Sequence, residues 1–232
     1  MSLSAAVYPG TIYNRLRDAA AEPWHDYTHH AFVLGVQDGS LPEAAFRYYL
    51  KQDYLFLIHF ARAYALAAYK AEDLDMVRHA AAGLNAICET EMSLHVQFCA
   101  DWGLSESDMQ AVPEDPKCMA YTRYVLEKGV SGDLLDLHVA LAPCMVGYGE
   151  IGHRIANDPT TQMTNNPYAP WIEMYASDEY QEVAASEALI LDTLFDKRAG
   201  EGRMPALIRT FDEATRLEVA FWQMGLDGAE AG

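Results

Sequence analysis

Apolar positions along this chain recur every three or four residues, and alternating β-branched runs are scarce. That period belongs to helices with one face turned inward. The ends of the periodic stretches carry helix punctuation. Ser40-Leu-Pro-Glu43 combines a capping hydroxyl, an acid three residues on and a proline in the first turn, which predicts a helix reaching about Lys70. A second run, from about 73 to 102, stops at Gly103, a residue suited to the left-handed position after a helix. Ser105 and Asp108 open a short piece. Residues 116–129 and 131–157 read as two more helices, the latter interrupted by Pro143. A polar loop at 158–167 and a short aromatic turn, PYAPWIEMY, precede helices near 178–199 and 205–225, and the tail DGAEAG reads as frayed. The expectation is an all-α, multi-helix bundle forming one domain over residues 1–232, with its core at about 10–225.

In such a bundle the informative side chains are polar ones inside an apolar stripe. Steps of about 100° per residue place Phe46, Tyr49, Leu50, Phe56, Leu57, Phe60 and Tyr64 on one helix face, with Asp53 at its centre. Leu207, Phe211, Ala214, Phe221 and Trp222 share another face, with Glu218 among them. Leu137, Leu141, Ile151 and Ile155 share a third with Cys144 and Tyr148. Each has a plain structural reading: a hydrogen-bonded acceptor, a small buried thiol, a packed tyrosine. Each also has a chemical one. Two carboxylates facing a core with few Lys or Arg nearby carry a desolvation cost that a polar ligand cavity would relieve for both. Pro143, next to Cys144, removes one helical donor and frees the carbonyl of Val139, a way to open space beside a thiol.

Charge narrows the partner. The 16 Lys+Arg against 34 Asp+Glu leave −18, which argues against nucleic acid or an anionic membrane and for a neutral or cationic partner, unless the charge merely keeps the protein soluble. Four cysteines without a C-x-x-C pair suit a reducing cytoplasm. The first residues show no signal-peptide pattern, and the longest apolar stretch, 139–149, is too short to span a membrane. Metal is the competing chemistry. Glu22-x-x-His25 and Glu150-x-x-His153 match the spacing of di-metal carboxylate helices, although Glu22, preceding Pro23, is expected outside a helix. Glu91 and His95 read as an i,i+4 surface ion pair.

The segments WHDYTHHAFVLGVQDGSL, FRYYLKQDYLFLIHFARAYA, LAPCMVGYGEIG, PWIEMY and LEVAFW, in this order and spacing, together resemble the TenA/thiaminase II family of aminopyrimidine aminohydrolases. The combination of Q-D, P-C-x-x-x-Y and E-x-x-F-W carries the likeness, which covers about residues 10–225. The resemblance implies a haem-oxygenase-like fold, a homotetramer, no metal or other cofactor, and hydrolysis of 4-amino-5-aminomethyl-2-methylpyrimidine to the hydroxymethylpyrimidine and ammonia in thiamin salvage, with cleavage of thiamin as a second activity. By position it implies Cys144 as nucleophile, Glu218 as acid/base and Asp53 as the carboxylate on the pyrimidine's amino group and ring nitrogen. Tyr121, Tyr148 and Tyr175 resemble the tyrosines that line the site. Phe56 stands where the family commonly has a tyrosine near the cysteine, and Gly147 where a bulkier residue is common, which suggests a roomier pocket. The alternatives are a di-metal carboxylate oxidase or oxygenase on the same bundle, and a non-catalytic pyrimidine or thiamin binder.

Overall fold

The structure is a computed structural model that describes residues 7–230. Among the described residues it contains α-helices and no strand, as the hydrophobic period predicts. Three short helices come first: α1 (Thr11–Ala19), α2 (Ala21–Thr28) and α3 (Ala31–Asp38). The long α4 (Glu43–Lys70) is followed by α5 (Leu74–Asn85), α6 (Met92–Asp101), α7 (Glu106–Gln110) and α8 (Pro116–Ser131). The chain continues with α9 (Leu134–Asn157), α10 (Ala169–Ala176), α11 (Asp178–Arg198) and α12 (Met204–Glu230).

Most helix ends follow their sequence signals. Gly103 adopts the left-handed conformation, φ +72°, and lets Leu104 N–H reach back to the Cys99 carbonyl at 2.8 Å. Ser105 and Asp108 close a reciprocal capping box on α7. Other ends depart. The start expected at Ser131 lies at Asp133, whose Oδ1 accepts from Leu135 N–H at 2.9 Å while Asp136 accepts from Asp133 N–H at 2.9 Å. Ser131 instead ends α8, its hydroxyl donating to the Glu127 carbonyl at 2.9 Å. Glu22 lies inside the first turn of α2, not outside a helix, because Pro23 is still early enough to need no intrahelical donor. The run expected from 73 to 102 is continuous but contains a π turn, Ala86–Glu91. A π turn adds a residue to the coil and rotates everything after it by about 100°. At the far end α12 runs past Gly225 to Glu230. Most of the tail expected to fray is therefore helical, held by an Asp227–Lys117 ion pair and by Gly228, where a Cβ would sit 2.3 Å from the Tyr48 ring; residues 231–232 lie outside the described residues.

The described chain divides into two compact units. One comprises the residues up to Pro42 together with His138–Gln223; the other comprises Glu43–Leu137 and the residues from Met224 on. In the second, α4 packs on α5 and α8. In the first, α1 packs on α11, and α10 on α3 and α11. Helix α9 is long and apolar enough to cross a membrane, but 94% of its apolar stretch is buried within the protein, so it is accounted for as a core helix.

The first unit is pinned by Glu150 of α9, which is 4% exposed. Its carboxylate accepts from Arg17 Nε at 3.0 Å and Nη2 at 2.8 Å, from Trp24 Nε1 at 3.1 Å and from the Tyr13 hydroxyl at 3.3 Å. Burial opposes the Arg17 charge, but Glu150 more than offsets it and the guanidinium pKa is raised. The Tyr13 phenol is pushed well above its usual range by burial and by the same carboxylate. His138 Nδ1, 2.6 Å from Glu187 Oε1, adds a buried contact from α9 to α11.

Candidate active site

In the first unit, the stretch GYGEIG of α9 shapes the surroundings of Cys144. A Cβ on Gly152 would lie 2.6–2.7 Å from the Tyr175 backbone, so this glycine lets α10 lie directly on α9. Gln181 of α11 completes the junction: its amide donates to the carbonyls of Gly149 at 2.9 Å and Tyr175 at 2.7 Å, and its oxygen accepts from the Tyr8 hydroxyl at 2.6 Å. Tyr175 is thereby fixed against Tyr148, ring centroids 4.9 Å apart. Tyr148 also meets Trp222 at 5.1 Å and Trp171 at 6.0 Å. Cys144 lies one helical turn before Tyr148, and Glu218 one turn before Trp222. These two residues differ in exposure: Glu218 is 1% exposed, whereas Cys144 is only partly buried. Partial access is what a nucleophilic thiol needs.

Gly147 has another role than the one its size suggests. A Cβ there would lie 2.4 Å from the Tyr27 ring, and Tyr27 is fully buried. The absent side chain makes room for Tyr27, not for a larger ligand, and the expectation of a roomier pocket is corrected on that point. Gly147→Ala should therefore overpack the core and cost about 1–3 kcal/mol, a loss of about 2–4 °C in Tm per kcal/mol. Thermal unfolding of the variant checks this; an unchanged Tm would mean that Tyr27 yields freely.

The second unit holds the other expected residues. Asp53 is 5% exposed at the centre of the apolar face of α4, and its Oδ2 accepts from the Tyr49 hydroxyl at 3.3 Å. Phe56, one turn on, packs on Phe60 and on Tyr121 of α8, each with centroids 5.1 Å apart. Gln52, fully buried, fixes the approach of α8: it donates to the Pro113 carbonyl at 3.0 Å and accepts from Asp115 N–H at 2.9 Å. Asp115 then caps α8 through Lys117 N–H at 2.8 Å. Asp53, Phe56 and Tyr121 are thus gathered in one unit, and Cys144, Glu218, Tyr148 and Tyr175 in the other.

Three contributors escape a sequence reading. Trp171 and Tyr27 carry no signal beyond their size. His95, expected on the surface beside Glu91, is 8% exposed and turns toward α4, with Nε2 2.6 Å from the Leu50 carbonyl and Nδ1 3.4 Å from Asp53 Oδ2. Of the two E-x-x-H matches, Glu150/His153 forms no ligand pair, since both oxygens of Glu150 already serve Arg17, Trp24 and Tyr13 while His153 is exposed.

The chain resembles known proteins in sequence and fold. The model of the TENA/THI-4/PQQC family matches residues 17–228. An aminopyrimidine aminohydrolase of Halalkalibacterium halodurans is 34% identical, over 97% of this chain and 95% of that protein, and one of Bacillus subtilis is 31% identical over 90% and 86%. A solved structure from Silicibacter sp. TM1040, described as a TenA family transcription regulator, is 45% identical with a TM-score of 0.89, covering 94% of this chain and 97% of that one. A domain with a heme oxygenase-like fold from Shewanella denitrificans, 14% identical, has a TM-score of 0.71 and shares the fold. With its helical fold, its half-buried cysteine and a family match spanning nearly its whole length, the chain belongs to the TENA/THI-4/PQQC family.

Proposed function

We propose that this protein is an aminopyrimidine aminohydrolase of thiamin salvage, converting 4-amino-5-aminomethyl-2-methylpyrimidine and water to the hydroxymethylpyrimidine and ammonia. The observation that carries the reading is the partly accessible Cys144 on a proline-interrupted helix, one turn before a ring cluster built from Tyr148, Tyr175, Trp171 and Trp222. The aminopyrimidine aminohydrolases of Halalkalibacterium halodurans and Bacillus subtilis align with it over most of both chains. The pyrimidine carbon beside a ring nitrogen is electron-poor, and more so when that nitrogen receives a proton. The Cys144 thiolate adds there, and the bonding pair of the exocyclic C–N bond departs with the amine, which takes a proton from Glu218. Water then adds to the methylene carbon, returning a proton to Glu218, and the thiolate leaves. Asp53 serves the N–C–NH₂ edge of the ring, and flat aromatic side chains hold it.

Phe56 bears on substrate choice. Its ring is packed on Phe60 and Tyr121 and brings no hydroxyl, and thiamin, with its better leaving group, stays within reach. The net charge and the small-molecule chemistry fit a protein that binds neither nucleic acid nor membrane; a homotetramer and a cytoplasmic setting follow from the family resemblance and the free cysteines. Supplying the purified protein with the aminomethylpyrimidine and, separately, with thiamin should give ammonia from the first and thiazole from the second, with higher kcat/KM for the first. Inactivity toward both removes the proposal, and tight binding without turnover replaces it with a binding protein.

A further inference from the structure

The chain from Tyr8 into α1 is tied to α11 at three points. Asp192 accepts from free N–H groups at the start of α1, Thr11 at 2.9 Å and Ile12 at 2.7 Å. Gly10, φ +112°, passes so close to α11 that a Cβ would lie 2.8 Å from the Ala188 carbonyl oxygen. Tyr8, itself buried, donates to Gln181 Oε1 at 2.6 Å. Gln181 offers one acceptor and two donors, and each is used. Carbonyl oxygens only accept, so the Gly149 and Tyr175 carbonyls hold the Nε2 side of the amide. Oε1 is thereby left to Tyr8, whose hydroxyl must donate. The other end of the link is Tyr175. Helix α10, Ala169–Ala176, has eight residues, too few to hold itself as an isolated helix. Tyr175 sits in its last turn, where carbonyls lack intrahelical donors, and the Gln181 amide supplies one at 2.7 Å. The neighbouring Tyr180 packs edge-on against the Tyr175 ring, centroids 4.8 Å apart, and donates at 3.3 Å to the carbonyl of Met145, the residue after Cys144.

We propose that residues 8–10 form a strap that sets the position of Tyr175 through Gln181, and that Tyr8 and Gln181 are positioning residues for the pyrimidine. Tyr175 meets Tyr148 and Trp171 with ring centroids 4.9 and 4.6 Å apart, so a shift of its backbone is passed to the aromatic faces against which a flat ring packs. Such faces hold a ring well only when their spacing is fixed before it arrives. Neither Tyr8 nor Gln181 has a step in the proposed chemistry, so the strap acts on how tightly the substrate is held and leaves bond-breaking to other groups. The effect on the substrate rests on the proposed hydrolysis; the link from Tyr8 to Tyr175 does not.

Two near-isosteric variants test this. Tyr8→Phe removes a single oxygen, and Gln181→Met keeps the length of the side chain without its amide, so both retain their packing volume. With the aminomethylpyrimidine as substrate, Tyr8→Phe should raise KM about threefold to tenfold, the size of one lost hydrogen bond, with kcat within about twofold of wild type. Gln181→Met should raise KM further. The double variant should match Gln181→Met alone, because Tyr8 acts through the amide. An unchanged KM in Tyr8→Phe, a loss confined to kcat, or KM effects that multiply in the double variant overturns the proposal; Tyr8→Phe decides by itself if Gln181→Met fails to fold. Carbon-13 NMR of carbonyl-labelled tyrosine on the ligand-free protein reads the link without turnover. The Tyr175 carbonyl resonance should move in Gln181→Met and, by less and in the same direction, in Tyr8→Phe. A Tyr175 resonance that stays in place in Tyr8→Phe overturns the strap whatever the kinetics. An inactive wild-type protein whose Tyr175 resonance still responds to Tyr8→Phe would defeat the hydrolase reading alone.

Discussion

Cys144→Ala should reduce ammonia release from the aminomethylpyrimidine by about a thousandfold or more, with little change in stability. Removing a covalent nucleophile takes away the pathway itself, and what survives is the residual effect of binding and of the other groups. Alanine suits a helix interior, and the thiol is only partly buried, so α9 should keep its course and the ring cluster its spacing. The variant should still bind the pyrimidine, because the rings are untouched. Single-turnover kinetics and a thermal melt on the same preparation separate the two effects. Full activity in a folded Cys144→Ala protein contradicts the assignment.

Arg17→Met should be the most damaging single change to stability. Glu150 would keep Trp24 and Tyr13 as neutral donors but would lose the only charge that its carboxylate engages among the hydrogen bonds described above. Breaking one partner from a buried pair costs about 3–5 kcal/mol, and at about 2–4 °C per kcal/mol the Tm should fall by upwards of about 6 °C. The pair Arg17→Met with Glu150→Leu should recover part of that loss, since no buried charge then lacks a counterion. Denaturant unfolding of the single and double variants measures both; a single variant within about 1 kcal/mol of wild type would show that Glu150 sheds its charge at little cost.

The apolar period carried most of the architecture, and the misplaced polar residues carried most of the candidate site. Asp53 and Glu218 stand out in sequence because each breaks an otherwise apolar face, and both are buried in the structure. Cys144 stands out through its neighbour Pro143. What escaped did so for definable reasons. A π turn has no residue signature, yet it turns α6 enough to carry His95 from the expected surface pairing with Glu91 to the Asp53 carboxylate. The start of α9 depends on which of two nearby residues reaches a free N–H, as Asp133 does in place of Ser131. Gly147 was legible as a small residue, but whether the space beside it holds a ligand or Tyr27 is decided by α2, more than a hundred residues away in sequence. The gathering of Tyr148, Trp171, Tyr175 and Trp222 likewise depends on glycines and on Gln181 that bring three helices together.

The central claim is hydrolysis at the exocyclic methylene carbon of an aminopyrimidine, and turnover in oxygen-18 water tests it most directly. The account predicts one ammonia for each hydroxymethylpyrimidine formed, with the label in the new hydroxymethyl group and none elsewhere. Absence of product from the aminomethylpyrimidine, or product whose hydroxyl oxygen does not come from water, would contradict it.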